Sequence, residues 1–256
     1  MLELLSPAGS PEAVVAAVQN GADAVYMGLG IFNARRGAKN FSDEEFEKAV
    51  RYCRIRGCKV YVTMNTLVGD REMEQAAELA RRVSDLGADA ILVQDIGLLS
   101  VLKRIVPDIP LHASTQMSIH DLAGVEAAAE MGLTRAVLAR ELSFEQIKFI
   151  TKHSPIETEI FVHGALCFCH SGQCYMSSLI GRRSGNRGMC AQPCRMEYTM
   201  GGRLEDSHPL SLKDNCLVDR LREIEDAGVA CVKIEGRMKR PEYVAAVTKA
   251  YRAAID

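Results

Sequence analysis

The chain has 256 residues, 48% of them apolar, no Trp, nine cysteines and a formal net charge of −2 at pH 7; such a chain can bury a large α/β core without disulfide staples. No run of about 18 apolar residues occurs, which excludes a membrane-spanning helix, and the opening MLELLSPAGSPEA lacks the basic and apolar regions of a signal peptide. A cytoplasmic location is therefore expected, where thiols stay reduced, and an odd number of cysteines there favours metal binding over a disulfide framework.

Along the chain, apolar strands are expected near 2–6, 24–28, 59–64, 90–94, 110–114, 135–139, 158–163 and 230–235. Five of them enter through one rhythm: a helix ending in Gly, a short polar step, then an apolar run. The segments are NGADAVYMG (20–28), RGCKVYVTMN (56–65), LGADAILVQD (86–95), MGLTRAVLAR (131–140) and AGVACVKIEG (227–236). The Gly suits a left-handed helix cap, and the run suits a strand buried on both faces. Helical periods fill the gaps, as in SDEEFEKAVRYCRIRG (42–57) and DREMEQAAELARRVSDLG (70–87). Eight strands, each followed by a helix, predict a (β/α)8 TIM-type barrel, with a doubly wound open sheet as the other arrangement. The whole of 1–256 reads as one barrel domain, interrupted after the seventh strand by an irregular excursion at 165–213; a loop that long is uncommon without a function.

The C-terminal strand ends of a barrel form its active face. On this register that face collects Ser6, Tyr26, Asn65, Gln94, Asp95, His112, Ser114, Gln116, Arg140, Glu141, His163, Glu235 and Arg237. Strands also end in polar residues simply on reaching solvent, but HASTQ (112–116) continues a strand with four polar side chains. His112, Gln116, Glu159 and His163 are the candidates for proton handling and base orientation; Glu159, in mid-strand, is equally suited to a bond inside the barrel.

The excursion carries EIFVHGALCFCHSGQCYMSS (159–178) and RRSGNRGMCAQPCR (182–195). Six residues separate Cys167 from Cys174, fifteen more precede Cys190, and three more precede Cys194. Structural zinc sites more often show two tight knuckles, whereas uneven spacing with a distant fourth thiol suits an iron–sulfur cluster. Cys216, in SLKDNC, is the distant candidate; Cys194 and Cys169 compete with it. Cys53, Cys58 and Cys231 fall in a helix, at a turn and in a strand, where buried free thiols are expected. Arg182, Arg183, Arg187, Arg195 and Arg203 crowd the same excursion. Arg35, Arg36 and Lys39 follow the second strand on the same barrel face. A local basic field on a near-neutral chain implies an anionic partner, RNA backbone or a carboxylate; Arg serves both equally well. Phe168 and Tyr175 are the rings best placed to stack on a base.

At these residues the sequence resembles the collagenase-like peptidase U32 family. The family signature stands complete as Glu159, Phe161, Gly164, Ala165, Leu166, Cys167, Gly172, Cys174, Met176 and Ser177. ELLSPAG (3–9), GADAVYMG (21–28), HASTQM (112–117), SGNRGMCAQPCR (184–195) and VKIEGRMKRPEYV (232–244) add to it. The resemblance runs end to end, and larger relatives continue past the barrel, so the chain is expected to be the N-terminal part of a longer protein. It implies an iron–sulfur protein that hydroxylates without molecular oxygen: a tRNA wobble uridine, a large-subunit rRNA cytidine or the ubiquinone ring, with prephenate as the co-substrate of the RNA-modifying members. Carried onto this sequence, the ligands of the 4Fe-4S cluster would be Cys167, Cys174, Cys190 and Cys216, with Cys194 as alternate. Arg35, Arg140, Arg182, Arg183, Arg187, Arg195 and Arg237 would hold RNA and the anionic co-substrate.

The family name implies proteolysis, and a thiol peptidase would pair a cysteine with an imidazole; His163 and His170 lie near Cys167 in sequence. No HExxH helix or GxSxG elbow is present, and several cysteines on one loop are redundant for a peptidase but needed for a cluster. RNA hydroxylation therefore leads. Peptidase activity, and a scaffold subunit of a heterodimeric hydroxylase, are the alternatives; a protein partner or homo-oligomer belongs to the latter.

Overall fold

The computed structural model describes residues 2–30, 32–35, 40–199 and 207–256. Eight parallel strands close into a barrel: β1 (Glu3–Pro7), β2 (Ala24–Met27), β3 (Lys59–Met64), β4 (Ala90–Val93), β5 (Leu111–Ala113), β6 (Arg135–Val137), β7 (Glu157–Gly164) and β9 (Cys231–Ile234). Each pairs with the next, and β9 closes the circle by pairing with both β7 and β1. A two-residue strand, β8 (Asn215–Cys216), runs antiparallel to the top of β7, placing Cys216 opposite His163. The expected (β/α)8 barrel is the observed fold, with β8 as an addition from the excursion.

Local sequence explains the frame. Helices α1 (Pro11–Gln19), α2 (Asp43–Arg54), α3 (Met73–Asp85), α4 (Ile96–Ile105), α5 (Leu122–Glu130), α6 (Phe144–His153), α8 (Leu221–Asp226) and α9 (Pro241–Ile255) form the outer layer. Ser42 and Glu45 form a reciprocal capping box at α2, as do Ser143 and Gln146 at α6. Asp95 caps α4 by accepting from Leu98 N at 2.7 Å. The helix-ending glycines behave as the rhythm predicts: at Gly87, φ is +92°, a left-handed turn that lets the chain leave α3 and enter β4 across the four residues 86–89.

The apolar interior divides in two. The larger core lies between strands and helices and includes Leu4, Phe46, Val62, Ile91, Leu102, Val162 and Tyr251. The smaller fills the barrel with Leu5, Tyr26, Tyr61, Leu92, Val137 and Cys231, against which Phe161 packs. The cysteine excursion leaves β7, makes one short helix, α7 (Met176–Gly181), and returns through β8. No helix among the described residues is long and apolar enough to cross a membrane.

One sequence expectation is corrected here. HASTQ does not continue a strand: β5 stops at Ala113, and Ser114 accepts from Gln116 N at 3.3 Å to open a 3-10 turn over Thr115–Met117. A hydroxyl that bonds its own backbone two residues on competes with strand extension.

Candidate active site

Three guanidiniums converge on one carboxylate at the barrel mouth. Arg237, just beyond β9, is 5% exposed and donates to Thr63 Oγ1 at 2.7 Å and Asn33 Oδ1 at 3.2 Å. Burial and the neighbouring Arg35 bring its pKa down to about 10. Arg35 pairs with Glu235 Oε1 at 3.2 Å. Burial alone would raise the Glu235 carboxyl, but Arg35, Arg140 and Arg237 hold it below the ordinary value. Neither Arg140 nor Arg237 has a carboxylate within salt-bridge distance among the described residues. The region around Glu235 is therefore short of negative charge, and a buried guanidinium bonded only to neutral oxygens favours an incoming anion.

Arg140 links this region to the thiols. Its Nη2 donates to Cys167 Sγ at 3.1 Å, its Nε reaches Ser171 Oγ at 3.5 Å, and its guanidinium lies 5.5 Å from the Phe161 ring centre. Beside it a cavity of about 190 Å³ opens among α6, β7 and α8, walled by Leu142, Phe144, Ile147, Leu166 and Leu217.

The cysteine loop is strapped to the barrel rim at several points. Ser171, 1% exposed, donates its N–H and hydroxyl to Glu141 at 3.1 and 2.8 Å, and His170 lies 3.3 Å from the same carboxylate. Burial raises the Glu141 carboxyl, yet the Ser171 bonds bring it below its ordinary value. Ser118 Oγ donates to Ser171 O at 2.5 Å. Gly172 sits so close to the Gln116 carbonyl that a Cβ would lie 2.3 Å from its oxygen. Further along, Arg187 grips Glu72 with two bonds of 2.9 and 2.6 Å. Arg195 donates to Leu166 O at 2.8 Å, to Ser211 Oγ at 2.7 Å and to Leu212 O.

All nine cysteines are free thiols. Cys194 has Cys167 and Cys190 as electrostatic neighbours, and Cys169 has Cys174 and Cys167. Cys190 Sγ accepts from Gln192 N at 3.3 Å. Cys216 lies near the Tyr251 hydroxyl, which donates to Val162 O at 2.8 Å and accepts from Leu217 N at 3.1 Å. Cys53, Cys58 and Cys231 are buried in the core, away from this loop. Among the described residues no three Cys, His, Asp or Glu side chains are gathered closely enough to hold a metal ion. Thiolates about one ion must come within about 2.3 Å of it, whereas a cluster of several irons and sulfides takes the same donors further apart. Unoxidised thiols beside N–H donors and guanidiniums fit the chemistry of such a group.

The four candidates for proton handling do not form one constellation. His112 and Glu159 lie inside the barrel. His112 is 4% exposed, sits edge-on to Tyr61, and has no partner for Nδ1; burial, then Arg135, lowers its pKa to about 4. Glu159 is fully buried and accepts from Lys233 Nζ at 2.8 Å, with Arg135 Nη1 at 3.5 Å. Burial would raise its carboxyl; Lys233 and Arg135 hold it low. Gln116 lies on the rim, its carbonyl accepting from Gln94. His163 turns towards α9, its ring 5.4 Å from Tyr251 and 6.0 Å from Tyr243.

Of the other rim candidates, Ser6 bonds Thr248 on α9, Asp95 serves α4, and Tyr26 donates to Ile234 O. Asn65 bridges Ala34 N and Ser114 Oγ. Arg182 and Arg183 stand exposed at the end of α7. Arg36, Lys39 and Arg203 lie outside the described residues. Sequence reasoning missed Lys233 and Arg135, which hold Glu159, and Thr63 and Asn33, which hold Arg237. The signal for the first two was available: a charged residue at an inward position of an apolar strand, VKI or TRAV, needs a partner inside the barrel.

Comparison with known proteins agrees with this architecture. The sequence model of Peptidase family U32 matches residues 9–256. The chain is 42% identical to the 23S rRNA 5-hydroxycytidine C2501 synthase of Escherichia coli over all its length, and 36% identical to tRNA hydroxylation protein P1 of Bacillus subtilis over 99%. It is 34% identical to a Collagenase of Porphyromonas gingivalis, again over 99%. It spans only 39%, 63% and 65% of those proteins, respectively. Among solved structures, the U32 peptidase Mk0906 superposes with a TM-score of 0.62 at 15% identity, covering 92% of this chain and 94% of that one. Its strands, its cysteine loop and its match over nearly every residue make this chain a member of Peptidase family U32.

Proposed function

We propose that this barrel is the catalytic part of an oxygen-independent RNA hydroxylase acting in the cytoplasm on a tRNA wobble uridine or a large-subunit rRNA cytidine. The observation that carries the reading is the group of Arg35, Arg140 and Arg237 around Glu235, joined to the cysteine loop by the 3.1 Å bond from Arg140 to Cys167. Cys167, Cys174, Cys190 and Cys216 would hold a 4Fe-4S cluster, with Cys194 as the alternate fourth ligand; when bound, the cluster supplies a redox or Lewis-acid centre. The three arginines bind and orient an anionic hydroxyl donor of the prephenate kind, and the cavity beside Arg140 has room for its apolar body. The exposed arginines of the loop hold the RNA backbone. His112 stays neutral near pH 7, so it can orient a base or accept a hydrogen bond without adding charge. The relatives named for rRNA and tRNA hydroxylation support the same reading.

The relative named Collagenase supports the second reading, a peptidase. A thiol peptidase needs a thiolate against an imidazole. Among the described residues no histidine ring is hydrogen-bonded to a cysteine: His170 meets Glu141, and His163 meets the α9 tyrosines.

Anaerobic purification with assay of iron, acid-labile sulfide and zinc tests the cluster; about four irons and four sulfides per chain are expected, falling in Cys167→Ala and Cys216→Ala. Nucleoside mass spectrometry on a deletion strain tests the reaction. Restoration by the intact gene but not by Cys174→Ala is expected. Absence of iron, with gelatin cleavage retained in Cys174→Ala, would overturn the hydroxylase in favour of the peptidase.

A further inference from the structure

The tip of α7 carries an apolar surface that the site described above does not use. Leu179 is 84% exposed and Ile180 68%, the two largest fractional exposures among the described large apolar residues of the excursion. Tyr175, 56% exposed, lies one helical turn before Leu179 and so shares its face. Tyr175 directly follows Cys174, so the patch is continuous with the cysteine loop. Exposed aliphatic neighbours are costly to leave in water and mark an interaction surface when they cluster.

The charge around the patch says what it meets. From Ala165 to Arg195 the chain contains four arginines and no acidic residue. Two of the four are occupied within the fold, Arg187 on Glu72 and Arg195 on the returning strand of the loop. Arg182 and Arg183 immediately follow the patch; both are exposed, Arg183 Nε donates to Met189 O at 3.1 Å, and neither meets a carboxylate among the described residues. Arg182 adopts the left-handed conformation, φ +54°, which turns the chain sharply at the helix end. An apolar pair and a tyrosine, bordered by two guanidiniums that meet no carboxylate among the described residues, match a strand whose bases are apolar on their faces and whose backbone is anionic. A protein partner of ordinary mixed charge would not call for an acid-free surround.

We infer that Leu179 and Ile180, with Tyr175, form a wedge against which unstacked bases of single-stranded RNA rest, while Arg182 and Arg183 take the adjoining phosphates. This rests on the RNA hydroxylase reading and names the surface that presents the RNA to the site. The wedge orders a loop of RNA beside Cys174, so that one nucleotide can leave its stack at the barrel mouth.

The test uses the whole protein, prepared anaerobically, and a fluorescein-labelled RNA hairpin with an unpaired loop, titrated by anisotropy at several salt concentrations. Apolar contacts and phosphate contacts separate cleanly in such data. Leu179→Ser with Ile180→Ser should weaken binding at least about tenfold at fixed salt and leave the slope of log K against log salt unchanged. Arg182→Gln with Arg183→Gln should flatten that slope by about 1.4, two single-strand phosphate contacts at roughly 0.7 each. Both pairs are exposed, so melting temperatures should stay at the wild-type value, which confirms that each variant is folded. Unchanged affinity in the Leu179/Ile180 variant overturns the wedge; if its sedimentation changes at the same time, the patch is a protein interface. Wild-type protein that binds no RNA overturns the hydroxylase reading itself, a result distinguishable from loss in the variant alone.

Discussion

Lys233→Met is the most telling single change in the barrel interior. Lys233 Nζ lies 2.8 Å from Glu159 Oε1, its side chain 4% exposed and that of Glu159 0%. Its ammonium also sits 4.4 Å from the Tyr26 ring centre and 5.4 Å from that of Phe161. Methionine fills the same tube of space but leaves Glu159 with only Arg135, at 3.5 Å. Breaking a buried pair in this way costs about 3–5 kcal/mol, because the surviving charge has no water to turn to. Arg135 softens the loss, so about 3 kcal/mol is expected. For a chain of this size that lowers the melting temperature by roughly 6–12 °C. Removing both charges, Lys233→Met with Glu159→Leu, should restore stability to within about 1 kcal/mol of wild type, since Arg135 keeps Glu3 at 2.6 Å and Glu157 at 2.7 Å. Urea unfolding followed by circular dichroism measures both. A single substitution costing less than about 1 kcal/mol, or a double variant as unstable as the single, would refute the reasoning that desolvated charge dominates here.

Other outcomes follow from neighbouring groups. Burial works against the charged form of Glu3, but Arg135, Lys59 and Tyr61 outweigh it and hold the carboxyl at about 2 instead of 4.5. Its contribution, about 3 kcal/mol, is fully present above pH 4.5 and fades as pH falls towards 2; Glu3→Gln should show a correspondingly smaller loss of stability between pH 5 and 2, read by thermal melts. His112, lowered by burial to about 4, should show constant imidazole nitrogen shifts from pH 8 to 5.5 by NMR. Its neutral burial stabilises the fold above pH 6.5, a contribution that fades as pH falls through about 4; titration near 6.5 would contradict the buried placement. Gly172→Ala would force a Cβ to 2.3 Å from the Gln116 oxygen at a φ of +76°, a strain on the order of 1–3 kcal/mol. The expected result is faster limited proteolysis of the cysteine loop and severalfold less retained iron, with only a small change in global melting; an unchanged loop would show that Gly172 is not its anchor.

The barrel was legible because its signal is local. Gly21, Gly57, Gly87, Gly132 and Gly228 each mark a helix end two to three residues before a buried strand, and all five have positive φ. The loop cysteines were legible because reactive side chains without apolar periodicity stand out from packing residues. What a charged side chain does was less so. Arg187 and Arg195 read as ligand-binding residues, yet one holds Glu72 and the other ties the loop to 211–212. Ser6 and Asp95 stand at strand ends but face α9 and cap α4. These roles depend on partners distant in sequence, and nothing in the local pattern distinguishes an arginine that holds its own fold from one that awaits an anion. His163 illustrates the same point at the backbone level: the register shift between Phe161 and His163 turns its ring to the helix layer instead of the barrel mouth.

The straps on the cysteine loop also say something about assembly. Arg187 meets a carboxylate 115 residues earlier in the chain, Ser171 meets a residue 30 earlier, and its carbonyl is held from 53 earlier. Contacts of such separation form late, after loop-closure entropy has been overcome by strand pairing. A nascent or misfolded chain therefore has the thiols but not the rim that arranges them. For the proposed cluster, incorporation of iron would then be a test of completed topology, and a chain that has failed to close its barrel would be spared redox chemistry it cannot control.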